Sequence, residues 1–406
     1  MALFAGLMVG LATIIFRELI MVVQYLWTGT TSESILNTLS NLPWYTVFLG
    51  PVIGGLVVGI MLEKLMPAKR TFGVADVIEA KTLNTNRLEI MPAINSAIIT
   101  VISLGSGASA GREGPVVHLG AVISNFVGQR FKLPAWGAKT LLACGVAAAV
   151  SASFNAPIAG VLFAHEVILG HYAKRAFIPI VIASVSSTIL TRLYFGDVVA
   201  FTIPAYEITS LWEFPAFALL GVICALVAIL FQFSIFSTDY LSRNVKIPLF
   251  LRPAIGGVLI GAIALYFPQV LGVGYEATDL ALKGQLPIAT LLALLIAKTA
   301  ATAITVASRF GGGVFSPALY LGAMAGGAFG LISAQFVPEM ASSQGLYAIL
   351  GMGAVAAVML GAPISTTMIV FGLTGGYTLS IALLLTVSIA HGINNAIHAH
   401  SYFEWQ

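Results

Sequence analysis

Apolar positions in this chain neither alternate nor keep to one helical face; they continue in long runs. Tyr45 to Met61, Ile180 to Leu190, Phe217 to Phe233 and Leu291 to Val306 are almost unbroken hydrocarbon. A helix needs about 20 such residues to cross a bilayer, so the longer runs predict spans and the shorter or Gly/Pro-broken ones predict tilted or interrupted helices. In lipid every backbone polar group must be satisfied within the protein, which leaves helices or a closed barrel. Runs without strict alternation exclude the barrel. The pattern therefore predicts an all-α, multi-pass transmembrane protein. The first run begins next to Met1, lacks a basic leader and carries Arg17 and Glu18, so it reads as a span and not as a cleaved signal. Those two adjacent charges do not share a helix face and are expected at a helix end or against polar partners.

Glycine-rich breaks between the runs occur twice in the same order. Gly111-Arg-Glu-Gly-Pro-Val-Val-His-Leu-Gly-Ala121 parallels Gly313-Val-Phe-Ser-Pro-Ala-Leu-Tyr-Leu-Gly-Ala323, with Pro115 and Pro317 lying 202 positions apart. Gly145 to Val150 followed by Ala156-Pro-Ile158 parallels Gly353 to Val358 followed by Ala362-Pro-Ile364, with the prolines 206 apart. Two ordered matches at nearly equal spacing predict an internal repeat. The polar stretch Asp197 to Trp212 divides the chain into a first repeat, 1–205, and a second, 206–406, together one membrane domain. Inverted repeats in transporters commonly build their site near mid-membrane from interrupted helices.

Composition narrows the function. The chain is 58% apolar and 9% charged, against roughly a quarter charged in soluble domains. Its net charge of +3 is dispersed, which argues against a nucleic-acid partner. Cys144 and Cys224 lie in apolar runs and suit neither a disulfide framework nor a zinc site. His118, His391, His398 and His400 lack metal-ligand spacing and read as packing or interfacial residues, so no metal and no cofactor are expected.

The duplicated breaks are suited to an anion. Each is a glycine-rich loop leading to a proline near a helix start, where proline is tolerated. Unpaired N–H groups and the dipole offer roughly half an elementary charge there. Partial charges replace lost hydration yet permit release, whereas a full Lys or Arg charge would hold the ion. Glu113 is the sharpest single residue, since a carboxylate within an apolar segment is a functional candidate. It can occupy the anion site itself and leave on protonation, as a gate or proton carrier; alternatively it pairs with Arg112 and caps the loop. A remote alternative is an intramembrane serine protease built on Gly107-Ala-Ser-Ala-Gly111 with His391 as base. A cation-coupled carboxylate transporter is a further option.

At these residues the chain resembles the CLC family of chloride channels and chloride/proton antiporters, over almost its whole length. Gly111-Arg-Glu-Gly-Pro115 is similar to the family's gating-glutamate motif, Gly313-Val-Phe-Ser-Pro317 to its Gly-x-Phe-x-Pro motif, and Phe154-Asn-Ala-Pro-Ile-Ala-Gly160 to the intervening helix. The resemblance implies no enzymatic activity, a homodimer in a cell membrane of bacterial inner-membrane type, and one chloride pathway per subunit. It further implies anion contacts at Arg112, Glu113, Gly114, Val314, Phe315 and Ser316, with Glu113 as external gate and the Tyr402 hydroxyl on the central anion. Three departures accompany it. Thr71-Phe-Gly-Val-Ala75 replaces Gly-Ser-Gly-x-Pro, putting Phe72 and Gly73 at the anion contact and Phe72 where a serine hydroxyl is usual. This opens selectivity among chloride, nitrate, bromide and fluoride, although Tyr402 and Pro115 favour chloride. Val167 stands where antiporters carry an internal proton-transfer glutamate, which tilts the reading toward a channel or weak proton coupling; Glu166 and His165 beside it offer an alternative proton path. Many relatives continue into a cytoplasmic regulatory domain, whereas this chain stops at Gln406, so such regulation is expected to be absent or removed.

Overall fold

The computed structural model describes residues 1–32, 35–83, 88–197, 199–336, 342–375, 377–398 and 401–405; His400 lies outside them. Helices succeed one another along the chain: α1 (Ala2–Thr28), α2 (Leu36–Asn41), α3 (Trp44–Leu65), α4 (Val74–Leu83), α5 (Ile90–Gly105), α6 (Glu113–Arg130), α7 (Ala135–Phe154), α8 (Pro157–Phe163) and α9 (Lys174–Phe195). After the polar connection come α10 (Phe214–Asn244), α11 (Arg252–Tyr266), α12 (Tyr275–Leu282), α13 (Ile288–Ala307), α14 (Phe315–Phe336), α15 (Gln344–Leu360), α16 (Pro363–Thr374), α17 (Ser380–Ile397) and α18 (Tyr402–Trp405). Among the described residues, nine helical stretches are long and apolar enough to cross a membrane. The runs predicted from Tyr45, Ile180, Phe217 and Leu291 fall inside α3, α9, α10 and α13. α10, with 31 residues, is about 46 Å long at 1.5 Å per residue and exceeds the hydrocarbon thickness of about 30 Å.

Small residues set how closely these helices approach. Lipid offers no hydrophobic drive to bring helices together, so association depends on close van der Waals contact. A Cβ on Gly120 would come within 2.6 Å of the Gly145 carbonyl oxygen, and one on Gly145 within 2.2 Å of the Gly120 carbonyl oxygen, which locks α6 onto α7. The same device joins α14 to α15, where a Cβ on Gly322 would stand 2.2 Å from the Gly351 carbonyl oxygen.

The interruptions also match between halves. α7 ends at Asn155 with φ 55°, and α15 ends at Gly361 with φ 66°; each is followed by Ala-Pro opening a new helix. The left-handed residue releases the backbone from one helix, and proline at the first position of the next sacrifices no intrahelical bond. Beyond α8 the helix widens to a π-turn over Ala164–Leu169.

Of the two places expected for Arg17, the helix end is not the one it takes. It lies in the middle of α1, away from either end, and its guanidinium sits 4.2 Å from the centre of the Phe195 ring. Cation–π attraction offsets part of the cost of a charge at that place. Cys144 and Cys224 are buried free thiols within the helix packing.

Candidate functional site

The two glycine loops meet. Gly111 N–H donates to the Gly313 carbonyl at 2.7 Å and Gly313 N–H donates to the Gly111 carbonyl at 2.8 Å, an isolated antiparallel bridge between segments 202 positions apart. From this bridge α6 and α14 depart with proline as the third residue of each. The opening N–H groups of a helix have no intrahelical acceptor, so both starts present amide donors and positive dipole ends to the space between them. That space is a cavity of about 30 Å³ whose wall includes Glu113, Gly114, Gly313, Val314 and Phe315, completed by apolar side chains such as Val74 and Phe403. It has room for a single water-sized ion.

Glu113, the first residue of α6, is 4% exposed. Its Oε1 accepts from the Ser316 hydroxyl and, at 3.4 Å, from the Tyr275 hydroxyl. Its Oε2 is buried with no hydrogen-bond partner. Arg112 places its guanidinium 5.2 Å from the centre of the Tyr275 ring.

Larger cavities flank the central one. On the Glu113 side, about 250 Å³ is lined by Arg17, Arg112, Arg192, Asn155, Phe154 and Tyr275 among others; Arg192 Nε donates to Asn155 Oδ1 at 2.6 Å. A second one, of about 630 Å³, is lined by Arg70, Asp76, Glu79, Asp239, Arg243, Arg309, Tyr402 and Phe403 among others. Asp239 there accepts ion pairs from Arg243 at 2.5 Å and Arg309 at 3.4 Å. Arg70, in the loop before α4, binds Asp76 through both terminal nitrogens at 3.1 and 2.6 Å, and this hydrogen bonding holds its guanidinium above the ordinary value. Phe154 lines both the first cavity and the central one, and Phe403 lines both the central one and the last. The central space thus adjoins each of the other two at an aromatic ring, Phe154 on one boundary and Phe403 on the other.

Several expected contacts take other positions. The Phe72 ring is turned against His118, with centroids 5.0 Å apart and planes at 29°, and the Gly73 N–H is taken by Asp76 Oδ2 at 2.8 Å. From this loop it is Val74 that reaches the central wall, because the bulky Phe72 ring finds its room beside His118. Tyr402 is buried and stacks on Phe236 at 5.9 Å; it lines the large cavity, and its neighbour Phe403 stands at the boundary. Glu166, in the π-turn, caps the start of α16: its carboxylate accepts from the N–H of Ile364 at 3.2 Å, the N–H of Ser365 at 2.8 Å and the Ser365 hydroxyl. Val167 packs half-buried against the core. His165 bonds the Val161 carbonyl through Nδ1 at 2.9 Å, and its Nε2 is buried without a partner. Ser109, the protease candidate, is buried with its hydroxyl 3.3 Å from that of Thr302, a neighbour that cannot act as a general base.

Residues absent from the sequence expectations are Tyr275, Val74, Phe403 and the hydroxyl of Ser316. The signal for Tyr275 was slight: an aromatic residue following Gly272-Val-Gly274.

A family model described as voltage gated chloride channel matches residues 54–395. A putative chloride channel protein ClcB-like from Ralstonia nicotianae is 31% identical over 401 residues, covering 97% of this chain and 92% of that protein. Voltage-gated ClC-type chloride channel ClcB from Escherichia coli O81 is 26% identical over 408 residues, covering 99% of this chain and 96% of its own. The solved structure of a slow cyanobacterial Cl⁻/H⁺ antiporter superposes with a TM-score of 0.86 at 21% identity, covering 100% of this chain and 95% of that one. A CLC-type fluoride/proton antiporter gives 0.82 at 20% identity, covering 100% and 96%.

Proposed function

We propose that this chain, which belongs to the voltage-gated chloride channel family, carries out its CLC-type chloride transport through the three cavities in series, with Glu113 as the gate at the central one. The observation that carries the reading is the Gly111–Gly313 bridge, which sets the starts of α6 and α14 around one ion-sized space. An anion entering that space loses water and gains amide dipoles from both halves. No lysine or arginine lines the central wall among the described residues, so the ion is held by partial charges and can leave in either direction. The Glu113 carboxylate occupies the same electrostatic environment. While ionised it competes with chloride; protonation cancels that advantage and lets it swing away.

Transport leans channel-like or weakly proton-coupled. Val167 has no titratable group, and Glu166 is engaged with the amides of α16, which favours a capping role for it over that of a mobile carrier. The protein works in a cell membrane as a homodimer with one pathway per subunit, and the arginines of both flanking cavities raise the local anion concentration. The deciding experiment uses purified protein in liposomes under a chloride gradient, with chloride efflux and proton movement recorded together. Chloride efflux with little accompanying proton movement is expected. Proton movement in fixed ratio to chloride would make the protein an antiporter, and absence of chloride flux would overturn the pathway.

A further inference from the structure

Lys298 is fully buried in α13, and its ammonium donates to the carbonyls of Val270 and Gly272, both at 2.9 Å. It also lies 5.2 Å from the centre of the Tyr320 ring. A desolvated ammonium is costly unless its hydrogen bonds are made, so a lysine here clamps the loop that supplies those carbonyls. The same loop is tied at a second point, where Gly272 N–H donates to the Gly107 carbonyl at 3.4 Å. It ends at Gly274, whose φ of 86° and whose absent Cβ, which would stand 2.7 Å from Tyr320 Cδ2, admit only glycine. The next residue is Tyr275, the first of α12. Its hydroxyl reaches Glu113 Oε1 at 3.4 Å, and its ring is held between the Arg112 guanidinium and the edge of Phe201, 5.2 Å away in each case.

We infer that Tyr275 is a positioning residue for the Glu113 gate and that Lys298, through the 270–274 loop, fixes where its hydroxyl stands. This rests on the reading of Glu113 as the gate. At 3.4 Å the bond is beyond the usual O–H···O range of about 2.5–3.0 Å, so a few tenths of an ångström in the loop decide whether it is made. A hydroxyl donor favours the ionised carboxylate over the neutral one and so favours the closed gate. The charged and titratable groups around this point are Arg112 on the gate's own loop and His118 deeper in α6, Tyr275 and Glu276 of α12, Arg17 of α1, Arg192 of α9, Lys298 of α13 and Tyr320 of α14. Glu276 is already occupied, accepting from the Leu36 N–H at 2.9 Å.

The test is chloride efflux from liposomes as a function of pH for wild type, Tyr275→Phe, Lys298→Met, the double variant and Glu113→Gln. Tyr275→Phe keeps the ring and removes only the hydroxyl. Its activation midpoint is expected to move to higher pH by about half a unit to one unit, less than the roughly one to two units of a full hydrogen bond to a charged acceptor because this bond is long. Lys298→Met should move it in the same direction, and the double variant no further than the larger single shift. Additive shifts would remove Lys298 from the proposal, and an unmoved midpoint in Tyr275→Phe would overturn it altogether. Should Lys298→Met not fold, Lys298→Gln, which keeps a donor but not the charge or reach, takes its place with the same expectations. Glu113→Gln separates the two levels: wild-type pH dependence in that variant would refute the gate itself, whereas a flat profile beside an unmoved Tyr275→Phe midpoint would refute only the latch.

Discussion

Glu113 has one oxygen that is held and one that is not. The bonded Oε1 takes the Ser316 hydroxyl, while Oε2 is buried without a donor, and leaving such an atom unsatisfied costs about 1–3 kcal/mol. Against this stand two helix starts, each favouring a negative charge by about 0.3–2 kcal/mol. Opposing contributions of similar size make the carboxylate easy to release, as a gate requires. Replacing Glu113 by Gln removes the charge at nearly constant shape, so chloride efflux should become independent of pH and, at neutral pH, at least as fast as the wild type's acid maximum. Ser316→Ala removes the closer donor and should shift activation of efflux toward alkaline pH by about one unit; an unchanged profile would mean that the hydroxyl contributes only packing. Much of this site is legible in sequence, because the Gly-rich break, the proline and the isolated carboxylate each imply their own chemistry. Tyr275 is not, since its contact with Glu113 spans 162 positions and belongs to no repeated pattern. Phe72, in the loop before α4, reaches His118 and does not line the central cavity, a choice of side-chain direction that linear spacing does not encode.

Among the elements, the α6–α7 and α14–α15 pairs depend on backbone approaching backbone. Gly351 would place a Cβ 2.3 Å from the Gly322 carbonyl oxygen, and neither atom is the end of a flexible side chain. Gly351→Val should therefore separate α14 from α15 at a cost of about 3 kcal/mol or more, seen as loss of monodisperse protein on gel filtration in detergent. Gly392→Ala in α17, where a Cβ would meet nothing within 4 Å, should behave like the wild type in the same assay. Glu166 acts at this scale too. The first half of the chain supplies the carboxylate that caps α16 in the second. Glu166→Gln should lower thermal stability by about 1 kcal/mol through loss of the charge–dipole contribution, with little change in the ratio of protons to chloride. The repeat and its broken helices could be read from sequence because Gly and Pro mark where helices stop and start. The π-turn at Ala164–Leu169 could not, for its residues include no glycine or proline to mark a break.

For the whole molecule, the question is whether proton movement accompanies chloride, and the arrangement of the two halves makes it testable at one position. On the proposed reading, chloride would pass along the bridge between halves, from the arginine-lined cavity beside Arg112 to the one beside Tyr402. Under the same proposal, proton coupling would need a separate chain of titratable groups or water leading to Glu113. Val167 interrupts the place where the CLC resemblance puts such a group, and it is half-buried against the core, with the capping carboxylate of Glu166 next to it. Val167→Glu would insert a carboxylic acid there at modest steric cost. Its partial burial favours the neutral, proton-carrying form. In liposomes under a chloride gradient, this variant should move protons against chloride in a measurable ratio where the wild type moves few, and Glu113→Gln added to it should abolish the proton component while chloride continues. If Val167→Glu carries no more protons than wild type while remaining folded and active, the valine is not what limits proton movement, and the proposed proton path through that position falls.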